Sequence, residues 1–175
     1  MAFDSARGKT VLFGGQDSSD TFLDETWEWD GTRWTHQTPP SGPSARAGHA
    51  MVFDGAHGKT VLFGGQNGST ILGDTWEWDG THWAQRMPAL SPPAHTGQAM
   101  AYDSTRGRTL LFDFNGTWEW DGSNWAPVPL ASSPPDPSVF GLMQSDWILP
   151  GLVYDSARGR SVLFGAGGTW EYVGR

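Results

Sequence analysis

The sequence contains no cysteine, which removes disulfides, thiolate metal ligands and thiol nucleophiles together. The compartment stays open, since a cytosolic protein and a piece of a secreted one would both fit. No apolar run approaches the roughly 18 to 20 residues that span a bilayer. The N-terminus also lacks a basic stretch followed by an apolar one, so the chain as given reads as soluble, without a signal peptide. Basic residues are few, 11 Lys and Arg against 19 Asp and Glu, for a net charge of -8. They are scattered, and the phosphate-tracking stripe that nucleic acid requires is missing. Long aliphatic runs are scarce too. What is present instead is 24 Gly, 12 Pro and 11 Trp in 175 residues, a composition of short strands joined by tight turns and an all-β fold with tryptophan in its core.

The chain repeats. An aromatic followed by Asp recurs at Phe3-Asp4, Phe53-Asp54, Tyr102-Asp103 and Tyr154-Asp155, at spacings of 50, 49 and 52. These define one domain over residues 1–175 with units 1–49, 50–98, 99–150 and 151–175. Each unit opens on a short strand whose two faces are both apolar, as in Met51-Val52-Phe53, which predicts burial on both sides and an innermost position. A polar loop follows, as in Asp4-Ser5-Ala6-Arg7-Gly8, with Asp placed to accept backbone N–H bonds and Gly to close the hairpin. The second strand is β-branched and apolar, as in Lys59-Thr60-Val61-Leu62-Phe63.

The third strand is the strongest signal, Thr-Trp-Glu-Trp-Asp-Gly, at Thr26, Thr75 and Thr117, with Thr169-Trp170-Glu171-Tyr172 in the last unit. Alternation sends the two aromatics to one face and Glu28, Glu77, Glu119 or Glu171 to the other. The Asp-Gly pair turns the chain into an outer strand starting near Trp34, Trp83 and Trp125, which unit four lacks. Each Glu is expected to pair across strands with the basic residue opening strand two, namely Lys9, Lys59, Arg108 or Arg160. Pro-rich links join the units. The third is ten residues longer than the others, with an insertion around residues 138–147 that carries Phe140, Met143, Asp146 and Trp147.

An apolar strand, a Gly-Gly pair, then spaced aromatics at a period near 50 resembles the kelch repeat. Unit two shows it best, with Arg46-Ala47-Gly48-His49-Ala50, Gly64-Gly65, Asp74 to Trp78, and Trp83. The resemblance implies a small kelch-like β-propeller of four blades, three four-stranded and the last three-stranded. Kelch propellers usually have six or seven blades, so three arrangements follow: a closed four-bladed ring, the favoured one; two chains joined; or a piece of a larger propeller. The copper oxidase among kelch-like proteins depends on a Cys-modified Tyr, and that chemistry is excluded here.

The fold class leaves function to particular residues. No Gly-x-Ser-x-Gly elbow and no phosphate loop occur. His36, His49, His57, His82 and His95 include no close-spaced pair, so no metal, cofactor or catalytic residue is assigned. The expectation is a binding module that takes a protein, a small molecule or a glycan on the end of the ring where the links lie. Its candidate ligand-binding residues are Arg46, His49, His95, Gln98, Asp146 and Trp147. A hydrolase or lyase centred on the ring axis, and a half-propeller that pairs with a second copy through the open edge of its last blade, are the alternatives to a monomeric binding module.

Overall fold

In the computed structural model, residues 1–113, 116–129, 150–165 and 168–172 are described. Among them every element is a strand and no helix occurs. Unit one forms β1 (Ala2–Asp4), β2 (Lys9–Gln16), β3 (Phe22–Trp29) and β4 (Trp34–Gln37). Unit two forms β5 (Ala50–Asp54), β6 (Lys59–Phe63), the small β7 (Gln66–Asn67) and β8 (Thr70–Ile71), β9 (Thr75–Trp78) and β10 (Trp83–Arg86). Unit three forms β11 (Ala99–Asp103), β12 (Arg108–Asp113), β13 (Gly116–Trp120) and β14 (Trp125–Pro127), and unit four β15 (Gly151–Asp155), β16 (Arg160–Gly165) and β17 (Gly168–Tyr172). Each unit is one antiparallel meander, so the described residues make three four-stranded sheets and a three-stranded one. The hairpin β7/β8 is a separate two-stranded excursion between β6 and β9.

The local chemistry read from the sequence builds these meanders. Asp4 Oδ1 accepts from the backbone N–H of Ala6 and Arg7, and Asp54, Asp103 and Asp155 repeat the pattern. At the outer turn Asp30 Oδ1 accepts from the N–H of Thr32 and Arg33 and from the Thr32 hydroxyl, which pulls the carboxyl pKa down to about 2. Asp79 is held down in the same way.

The sheets stack in order: β1 packs beside β5, β5 beside β11 and β11 beside β15. Among the described residues β15 does not pack back onto β1 in this way. Each joint sets the plain face of one sheet against the aromatic face of the next. Ala2, Val11 and Phe13 bury Met51, Leu62, Trp78 and Trp83, and Ala50, Val61 and Phe63 bury Met100, Leu111, Trp120 and Trp125. Phe112 meets Leu163 at the third joint. Burying one such aliphatic or aromatic side chain contributes roughly 2 kcal/mol, against about 1 kcal/mol for a hydrogen bond. Apolar stacking therefore supplies the adhesion, and polar contacts set its register.

Those polar contacts also recur. Trp83 Nε1 donates to Thr26 Oγ1, and Trp125 Nε1 to Thr75 Oγ1, each at 2.9 Å. Trp78 Nε1 donates to Glu28 Oε1 at 3.0 Å, and Tyr172 Oη to Glu119 Oε1 at 3.1 Å. The turn glycine allows the approach: at Gly80, with φ of +100°, a Cβ would stand 2.6 Å from Arg7 Nη1.

The cross-strand pairing expected of the four Glu residues is found in two units. Lys9 reaches Glu28 at 2.9 Å and Arg160 reaches Glu171 at 2.6 Å. Glu77 instead takes Arg86 from β10, and Lys59 lies 3.6 Å from Asp79. Glu119 takes Arg106. The loop arginine is the partner that the strand pattern concealed: Arg7, Arg106 and Arg158 each tie the Asp of their own loop to the Glu of β3, β13 or β17.

Candidate functional site

Four of the residues singled out in the sequence, Arg46, His49, His95 and Gln98, come together around Gly64-Gly65. Arg46 Nη1 bonds the Gly64 carbonyl at 3.0 Å, and the Gly65 N–H donates to the His95 carbonyl at 2.8 Å. Gly65 lies against His49, and Gly64 against the Gln98 amide. The links themselves touch here, with the Gly97 N–H bonded to the Gly48 carbonyl at 2.8 Å. Asp146 and Trp147 fall outside the described residues, as does the rest of the insertion around residues 138–147.

The side chains in this cluster are largely committed to the fold. Arg46 is 1% exposed. Its guanidinium grips both carboxylate oxygens of Asp74, at 2.6 and 2.9 Å, and also donates to the Ser44 carbonyl. Asp74 accepts a third bond from Trp76 Nε1 at 2.7 Å, and its pKa is lowered by these donors despite burial. Gln98 Nε2 donates to the Phe63 carbonyl at 2.6 Å, while its buried Oε1 has no partner. His49 stacks edge-on against Phe13 at 5.8 Å. Burial, reinforced by the positive N-terminal amine and Arg46, takes its pKa from 6.5 down to about 3, so its ring is neutral at any ordinary pH. What these residues do chemically is anchor each link onto a neighbouring sheet.

One open cleft lies at the other end of the innermost strands, where the hairpin loops gather; a second, of about 580 Å³, lies beside the first link and is lined by Asp24, Glu25, His36 and Trp83 among others. The first, of about 670 Å³, runs across units one to three, lined by Ser5, Val52, Phe53, Gly55, Tyr102 and Ser104, with Phe3 at its edge. Alternation explains the lining, because the last aromatic of β11 and that of β15 each reach the hairpin loop of the preceding unit. Tyr102 packs on Gly55, and Tyr154 Oη bonds Thr105 Oγ1. None of the lining residues carries a charge. Burial, with the Asp54 carboxylate nearby, raises the Tyr102 pKa, so the phenol stays protonated. The cleft therefore offers apolar surface, three hydroxyls and no cation, which suits a neutral, mostly apolar group.

These cleft residues were absent from the sequence-based candidates because they belong to the regular repeat. The signal available was the aromatic before each loop Asp, which reads equally well as core. Among the described residues no group of three or more His, Asp and Glu side chains is placed to hold a metal ion, and no helix is long and apolar enough to cross a membrane. Compared with known proteins, the sequence matches no family model and no curated relative.

Proposed function

We propose that the four sheets are successive blades of a kelch-like β-propeller and that the chain is a recognition module. Support for the blades comes from the four meanders, their inner strands side by side, and the repeated joint of plain face against aromatic face. The single observation that carries recognition is the uncharged cleft at the loop end of three inner strands. It holds no acid, base or nucleophile beyond hydroxyls, so it has the means to bind but no means to move a proton at neutral pH. The ligand class it fits is a neutral small molecule or a projecting apolar side chain, with Ser5, Ser104 and Tyr102 as hydrogen-bonding partners.

A protein-observed NMR screen of neutral aromatic and sugar-like fragments tests this. Binders should shift the amides of Val52, Gly55 and Ser104, and the substitution Tyr102→Ala should weaken them about tenfold while the fold is retained. Fragments that bind only elsewhere, or that bind the Tyr102→Ala protein equally well, would defeat the cleft as the site.

A further inference from the structure

At the first two internal joints a Phe on the plain face meets an outer-strand Trp of the next sheet edge to face. Phe13 meets Trp83 at 5.3 Å, and Phe63 meets Trp125 at 5.5 Å. At the two ends of the stack the counterparts of these residues, Phe164 on β16 and Trp34 on β4, are exposed at 60% and 43% where Trp83 is 5%. Trp34 is already set for the contact. It lies 5.6 Å from Trp29 at 44°, the arrangement that Trp78 keeps with Trp83 and Trp120 with Trp125 inside the finished joints.

The polar half of the joint is duplicated as well. On sheet four Arg158 holds Asp155 and Glu171 in the geometry by which Arg7 holds Asp4 and Glu28. Thr169 and Glu171 stand exposed at the positions where Thr26 and Glu28 receive indole N–H groups. On sheet one Gly31 has open space above it, where Gly80 at the first joint is covered by Arg7. The two faces, uncovered among the described residues, are thus the two halves of one interface that the chain builds repeatedly within itself.

We propose that these faces join two copies of this chain head to tail, the aromatic face of sheet one in one copy seating on the plain face of sheet four in the other. Trp34 then packs on Phe164 and donates to Thr169, Trp29 donates to Glu171, and Arg158 lies under Gly31. The occupant is a second copy because the chain itself carries both complementary halves, in the register seen at its internal joints. Such a contact is heterologous: each copy offers one half and needs the other, so two copies close on themselves only by making the joint twice. The inference stands apart from the cleft, whose test uses other residues.

Sedimentation of the whole chain across concentration reads the association, which should carry the mass from 19.1 kDa towards twice that value. Trp34→Lys and Phe164→Lys change exposed side chains and should leave the folded spectrum intact, yet each protein alone should remain monomeric. Mixed together they should associate, because the Phe164 face of the first and the Trp34 face of the second restore one intact joint. A monomer at every concentration overturns the proposal. So does association that survives either substitution, as pairing through a strand edge would, and so does a mixture in which the two variants ignore each other.

Discussion

Trp78 on β9 donates its indole N–H to Glu28 on β3, 3.0 Å away across the boundary between sheets one and two. Glu28 is 2% exposed and also takes Arg7 at 2.7 Å and Lys9 at 2.9 Å, so one carboxylate serves two cations and the adjoining sheet. Its pKa is lowered even though burial opposes this, because three donors outweigh desolvation. Glu28→Gln leaves Lys9 without its anion and Arg7 with Asp4 alone, and keeps one acceptor for Trp78. Removing one member of a buried ion pair costs several kcal/mol, reduced here because both cations reach solvent, so the expected loss is about 2 kcal/mol. Urea unfolding measures it. Glu171→Gln, the same change on the uncovered face, should cost clearly less in monomeric protein, and equal losses would show that the buried joint adds nothing to the pair.

Arg46 sets a second expectation. Its guanidinium spans Asp74, the Gly64 carbonyl and the Ser44 carbonyl, a fork that a single ammonium cannot reproduce. Arg46→Met strands a half-buried carboxylate and should cost about 3 kcal/mol, and Arg46→Lys more than half of that. Fragment binding in the cleft should be unchanged in whatever fraction stays folded. A loss of binding with undiminished stability would return Arg46 to the role of ligand contact that its sequence position suggested.

His49 predicts a pH dependence whose sign follows from its lowered pKa. Between pH 6.5 and about 3 the unfolded chain binds a proton there that the folded chain refuses. Stability from this site is therefore complete above 6.5 and falls as pH falls towards 3. Buried carboxylates with lowered pKa values, such as Glu28 and Asp74, begin to lose their contribution only below about 4, and the N-terminal amine, whose pKa burial also lowers, is common to parent and variant, so the difference between the two from pH 7 to 5 reads the histidine. Gln98, at the equivalent place in the next unit, identifies a tolerated replacement. In His49→Gln the urea midpoint should change less between pH 7 and 5 than it does in the parent protein; an unaltered slope would mean that the His49 ring reaches solvent and protonates freely.

The meanders were legible because strand alternation, loop Asp and turn Gly are local signals, repeated four times and mutually consistent. Contacts between units were not. Arg46 stands in a Pro-rich link and reads as an exposed binding residue, yet it is buried by a carboxylate 28 positions later. The candidate cluster of Arg46, His49, His95 and Gln98 was found as a group in space, but the cleft formed at the opposite ends of the strands, from three loops that no single repeat reveals. Trp34 and Trp83 occupy the same position of the motif and differ in burial because only Trp83 has a sheet before it. Sequence identity between repeats fixes the face a residue takes and leaves open whether anything covers that face.

Unit two breaks the relay that the other units share, and the break can be repaired. Where Arg7, Arg106 and Arg158 reach from loop Asp to strand Glu, this loop has His57, whose Nδ1 stops at Asp54, 2.8 Å away. Glu77 turns to Arg86 on the outer strand instead, with Nε at 2.7 Å. The indole N–H of Trp120, counterpart of Trp78, is then buried without a partner. His57→Arg would supply a guanidinium under Gly122, as Arg7 lies under Gly80, and would give Glu77 a second cation on its inner side. With both charges partly screened the gain should be about 1 kcal/mol, which for a chain of this length raises the thermal midpoint by roughly 2 to 4 °C. The gain should vanish in a Glu77→Gln background. A midpoint that falls, or a rise that persists without the Glu77 charge, would show that His57 is matched to its own joint and that the arginine relay is not a transferable part of the repeat.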